Sequence, residues 1–64
     1  MAQLTPRERE IVSLLMQGKQ AREIKACMCI EQSTLRQHLR NARTKAGART
    51  TIELVAKVAR EVGD

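Results

Sequence analysis

Between Gln32 and Gly47 the chain has no acidic residue. Over the same stretch the arginines Arg36, Arg40 and Arg43, the amides Gln37 and Asn41, and the hydroxyls Ser33, Thr34 and Thr44 recur at helical spacing. At about 100° per residue, with Leu35 set at zero, Leu35, Leu39, Ala42 and Ala46 fall in one narrow arc. Ser33, Gln37, Arg40 and Thr44 lie opposite it, flanked by Arg36 and Arg43 on one side and by Thr34 and Asn41 on the other. Such a face suits duplex DNA. An Arg can bond bidentately to guanine and a Gln to adenine, while further Arg and hydroxyl groups reach phosphate. A merely solvated helix usually interleaves acidic residues for i,i+4 pairs, and this one does not.

The other candidates for chemistry are weaker. Cys27 and Cys29 are two apart, so on a helix their thiols point about 200° from one another and cannot grip one ion unless the helix ends between them. A structural zinc would still need two more ligands beyond the two thiols, of which His38 could supply one. We therefore expect no metal, with Cys27 flanking the core, Cys29 filling a turn as a small hydrophobe, and Met16 and Met28 filling gaps in the core. His38 falls at the edge of the buried stripe and is expected to pack there. With one His, no Gly-rich phosphate loop and no carboxylate pair on a shared face, an enzyme is not expected, and no cofactor is implied.

The elements that must position the basic face follow from the punctuation. Thr5-Pro6-Arg7-Glu8 combines a Thr N-cap, Pro at the first helical position and Glu three residues after the cap, and Gly18 can close the helix. These signals predict a helix over residues 6–17 with Ile11, Leu14 and Leu15 on its apolar face. A short second helix, 20–28, places Ala21, Ile24 and Met28 on one side. The third runs over 32–45 and closes at Gly47. Thr50-Thr51-Ile52-Glu53 opens a fourth over 51–62. No strand pattern is present, so the fold class is all-α, a compact four-helix domain over residues 1–64.

Composition sets the partner class. The chain carries a formal net charge of +5, of which +4 falls in residues 31–50, and it has no Phe, Tyr or Trp. Recognition by aromatic stacking, which covers most single-strand RNA modules and carbohydrate sites, is excluded. A basic excess in a small domain points to a polyanion, with nucleic acid foremost. No apolar run is long enough to cross a bilayer, the first ten residues are too charged for a signal peptide, and the adjacent cysteines suit a reducing compartment. The expected location is the cytoplasm, with no membrane partner.

The residue order adds a family. Leu4-Thr5-Pro6-Arg7-Glu8-Arg9-Glu10, Gly18, Glu23-Ile24, Ile30, Thr34, His38-Leu39, Asn41, Lys45, Gly47, Arg49 and Glu53-Leu54-Val55 together resemble the LuxR/GerE (NarL/FixJ) type of helix-turn-helix DNA-binding domain, from Leu4 to Val58 without a gap. The resemblance implies that helices two and three form the helix-turn-helix, that the third is the recognition helix in the major groove, and that the fourth dimerises. It places Arg36, Gln37 and Arg40 at base-edge and groove contacts, Thr34 and Asn41 near phosphate, and Arg43 and Lys45 at the adjacent backbone. The chain departs from the family at Lys25, where a small Ala is usual, so that the stem must snorkel outward or the two helices must separate slightly. Glu31 replaces a capping Ser, and Ala42, Ala46 and Ala48 replace larger apolar residues.

Helix four carries its apolar residues, Ile52, Leu54, Val55, Ala56, Val58, Ala59 and Val62, over roughly 200° of the wheel, where one core needs about 100°. Its spare face, with Ile52, Val55, Ala56 and Ala59, is the expected dimer contact. The expected function is thus a free-standing transcription regulator that binds duplex DNA as a homodimer, with no receiver or ligand-binding domain in the chain. The alternative is a protein-interaction module on the same fold that engages another regulator or RNA polymerase, with weak or lost DNA binding.

Overall fold

The computed structural model describes the backbone of residues 3–63 and the side chains of residues 3–61. Four helices follow one another, α1 (Pro6–Met16), α2 (Ala21–Met28), α3 (Gln32–Ala46) and α4 (Thr51–Gly63). Each matches the expected range to within one residue at either end.

The starts and stops have local causes. The Thr5 hydroxyl accepts from the Glu8 N–H at 3.2 Å and Glu8 Oε1 accepts from the Thr5 N–H at 2.9 Å, the reciprocal capping box that the sequence announces. After α1, Gly18 takes φ +87 and the Lys19 N–H reaches back to Leu14 O at 3.1 Å, a Schellman closure. Gly47 ends α3 in the same way at φ +70, with the Ala48 N–H donating to Arg43 O at 2.8 Å. Helix α2 is unlike these. Cys29 itself adopts the left-handed conformation, φ 55 and ψ 47, so the stop falls on a residue type that does not signal one. At its other end, Gln20 precedes the helix and its N–H donates to Glu23 Oε1 at 2.9 Å.

Two apolar clusters share α1 and α3. Ile11, Ile24, Met28 and Leu35 form one, beneath α2, with Leu14, Leu15, Ile30 and Leu39 packed against it. Val12, Ala42, Ala46 and Leu54 form the other, beneath α4, with Leu4, Leu39, Ala48, Val55 and Val58 packed against it. Leu39 touches both, so α1 and α3 are the central pair, while α2 and α4 flank them and make no mutual contact among the described residues. Burying Ile11, Ile24 or Leu54 is worth roughly 1.5–3 kcal/mol each, a large share of what so short a chain can muster.

Three apolar expectations are corrected. Met16 is 43 % exposed, because it lies about 140° around the helix from Ile11 and beyond Val12, which closes the edge of the core. Cys27 and Cys29, expected to flank the core and to fill the turn as a small hydrophobe, are both exposed, so Cys29 stands at the turn without burying its thiol. Ala21 is also exposed, leaving Ile24 and Met28 as the inward residues of α2. Val62, expected on the apolar arc of α4, lies outside the described side chains.

Candidate nucleic-acid interface

The outer face of α3 is presented by a buried inner one. Leu35, Ala42 and Ala46 are buried and Leu39 is half-buried, so the opposite side must face solvent. Ser33, Thr34, Arg36, Gln37, Arg40, Asn41 and Thr44 are all exposed there, and Arg43 is half-buried at the margin. Gln37 Nε2 donates to Asn41 Oδ1 at 3.1 Å, one helical turn away, which orders two amides on that surface. Ser33, Arg36, Gln37 and Arg40 also line a shallow open depression, together with Gln32. On the wheel Gln32 stands only about 60° from Leu35, so its spacing alone does not place it on this face. At the first turn, with no preceding turn to cover it, that angle still opens to solvent.

The α2–α3 connection sets the angle of this face. The Cys29 and Ile30 N–H groups both donate to the Lys25 carbonyl, the latter at 3.1 Å, which folds the chain sharply before α3. Ile30 then anchors the turn against the core. Glu31 is the extended N-cap of α3, and its side chain accepts no capping hydrogen bond. Lys25 does reach outward, as its length requires. Its stem is half-buried, and Nζ donates to Gln32 Oε1 at 2.8 Å across the turn.

Lys45 is separated from the group expected at DNA. Its Nζ lies 2.8 Å from Glu8 Oε1, and Glu8 is 2 % exposed. A buried carboxylate needs a cation, and the last turn of α3 supplies it, so Lys45 turns toward α1 and away from the outer face. Burial pushes the Glu8 carboxyl up. The Lys45 hydrogen bond, the Thr5 N–H, the Lys45 charge and the Thr5 hydroxyl outweigh that and hold it below the ordinary carboxylate value. The C-terminus of α3 has a further cation, supplied by α4. Lys57 Nζ donates to Ala46 O at 3.2 Å and to Gly47 O at 3.1 Å, satisfying carbonyls at the negative end of the helix.

On α4, Leu54 is fully buried and Val58 half-buried, which identifies the inward side. Ile52 is 82 % exposed and Ala56 is exposed, while Val55 and Ala59 are half-buried at the edge. Ile52, Ala56 and Ala59 share one face at i, i+4, i+7. His38 is half-buried, at the margin of the stripe. Among the described residues no three of His, Cys, Asp and Glu gather as a metal site would require. No helix among them is long and apolar enough to cross a membrane.

Comparison with known proteins agrees with this geometry. The family described as bacterial regulatory proteins, luxR family, matches residues 2–58. The spore germination protein GerE of Bacillus subtilis is 39 % identical over 57 residues, which cover 89 % of this chain and 77 % of that protein. The transcriptional activator protein BjaR1 of Bradyrhizobium diazoefficiens is 47 % identical over 53 residues, 83 % of this chain and 22 % of its own. The quorum sensing-dependent transcriptional regulator RpaR of Rhodopseudomonas palustris is 44 % identical over 54 residues, 84 % of this chain and 22 % of its own. The chain thus spans about a fifth of the length of BjaR1 and RpaR and about three quarters of GerE. No solved structure matches it at comparable significance.

Proposed function

The chain belongs to the luxR family of bacterial regulatory proteins, a non-enzymatic family of helix-turn-helix DNA-binding domains, and from that premise we propose that it binds duplex DNA sequence-specifically as a homodimer and so regulates transcription in the cytoplasm. Helix α3 enters the major groove, which at about 12 Å admits an α-helix. Arg36, Gln37 and Arg40 read base edges. Ser33, Thr34, Asn41, Arg43 and Thr44 hold the flanking phosphates and sugars. Lys45 is left to its ion pair with Glu8. A two-fold pair joined through Ile52, Val55, Ala56 and Ala59 would offer two recognition helices to successive major grooves and call for a palindromic site.

The observation that carries this reading is the face of α3 itself: seven exposed polar or basic side chains, no acidic one, and a buried apolar stripe directly behind them. A second reading is favoured by the 82 % exposure of Ile52. In it, α4 engages RNA polymerase or another regulator and DNA binding is weak or lost. Equilibrium binding to a fluorescent duplex across a salt series separates the two. Contact with several phosphates makes log K fall steeply with log salt, by about 0.9 for each phosphate neutralised. A protein-directed module would give no DNA complex to titrate.

A further inference from the structure

Gln32 opens α3 and lines the depression that Arg36 and Arg40 share, and its amide is held from behind. Lys25 Nζ, at the far side of the turn, lies 2.8 Å from Gln32 Oε1. An ammonium only donates, so the end of the amide that meets Lys25 is the oxygen, and the NH2 end faces away from α2. The Lys25 backbone is itself fixed, since its carbonyl closes the end of α2 by accepting from Cys29 and Ile30, and its stem is half-buried. The side chain that carries the cation therefore leaves from a fixed point of the backbone.

A glutamine that reads adenine uses both ends of its amide, the oxygen toward N6–H and the NH2 toward N7. With the oxygen turned back to Lys25, Gln32 presents its NH2 donors outward. Guanine presents two acceptors, N7 and O6, in the major groove, and Arg36 and Arg40 beside Gln32 are donors of the same kind. We propose that Lys25 is a positioning residue for sequence specificity, which, by holding the Gln32 amide oxygen, makes the base beneath the N-terminal end of α3 a guanine and not an adenine. This rests on the DNA reading above.

Selections from randomised duplexes with the whole chain and with five variants test it. Lys25→Met keeps the apolar stem and removes the donor, and Lys25→Arg keeps a donor. Wild type and Lys25→Arg are expected to share guanine at one position of each half-site. Lys25→Met is expected to move that position toward adenine, on the order of tenfold in relative preference. Gln32→Ala should lose the preference there, and adding Lys25→Met to it should change nothing more at that position. Gln32→Glu does not depend on Lys25→Met folding: its carboxylate keeps the Lys25 contact and turns the free end into an acceptor, so the preference should pass to cytosine. If Lys25→Met or Gln32→Glu lowers affinity for all sequences alike and leaves the wild-type preference in place, the proposal is overturned and Lys25 serves packing or phosphate. A wild type that enriches no sequence removes the DNA reading as well, whereas an enriched site that these variants leave unchanged removes this inference alone.

Discussion

Glu8 and Lys45, 37 residues apart, meet at 2.8 Å and tie the capping box of α1 to the last turn of α3. The carboxylate is buried while the ammonium keeps 28 % of its side-chain exposure. Removing one partner of a fully buried pair costs about 3–5 kcal/mol, and the partial exposure of Lys45 places this pair lower. Lys45→Met is expected to cost about 2 kcal/mol, read from urea unfolding. Glu8→Gln is expected to cost less, because a neutral amide oxygen still accepts the Thr5 N–H. Loss of under half a kcal/mol in Lys45→Met would show that Thr5 alone satisfies the carboxylate.

The same pair gives stability an acid limb. The folded Glu8 carboxyl titrates below its ordinary value of 4.5, so the unfolded chain binds the proton more readily as pH falls. The stabilisation is present in full above about 4.5 and is lost as pH drops through the lower, folded value. Thermal unfolding of wild type from pH 7 downward should show this decline, and Glu8→Gln should flatten it. An equal slope in both proteins would place the acid sensitivity elsewhere.

Much of this molecule is legible from residue types a few positions apart. Thr5 with Glu8, Gly18, Gly47 and Thr50 each act through local backbone geometry, and the Thr50 hydroxyl accepts from the Glu53 N–H at 3.1 Å. The outer face of α3 is equally local, since a helix with Leu35, Ala42 and Ala46 inward has one side left. What the sequence conceals is tertiary or atypical. Lys45 carries the same charge as the outer arginines, and only the packing of α1 on α3 reveals that a buried Glu8 claims it. Lys57 likewise reads as a surface cation until α4 brings it over the end of α3. Cys29 ends α2 in a conformation that Gly normally supplies, and Met16 is apolar but lies past the edge of the core.

Cys29 gives a prediction of stability. A residue with a Cβ is strained at φ 55, by about 1 kcal/mol relative to Gly. Cys29→Gly should therefore raise the melting temperature by several degrees, whereas Cys29→Ala should leave it nearly unchanged. Cys27→Ser should be close to neutral, as its thiol is exposed. No metal should co-purify with wild type. Stoichiometric zinc or copper that disappears with the two cysteines would contradict this.

Self-association is expected to run through α4. Ile52 is outside the core, so Ile52→Glu should fold with unchanged helicity while reducing dimer formation and DNA affinity together. Ala59→Glu, at the edge of the same face, should act in the same direction. Covering the exposed apolar face is worth roughly 25 cal/mol per Å². Sedimentation showing a monomer at high concentration, with and without DNA, would assign the face to a different partner.

Sequence reading by α3 is tested most directly by selection from a randomised duplex pool with wild type, Arg40→Ala, Gln37→Ala and Arg43→Ala side by side. Wild type should enrich a palindrome. Arg40→Ala and Gln37→Ala should each relax it at defined positions, losing about 1–3 kcal/mol at the wild-type site, whereas Arg43→Ala weakens every sequence alike. No enrichment by wild type, or an enriched site that Arg40→Ala and Gln37→Ala both leave unchanged in sequence and margin, would contradict the assignment of α3 as the recognition helix.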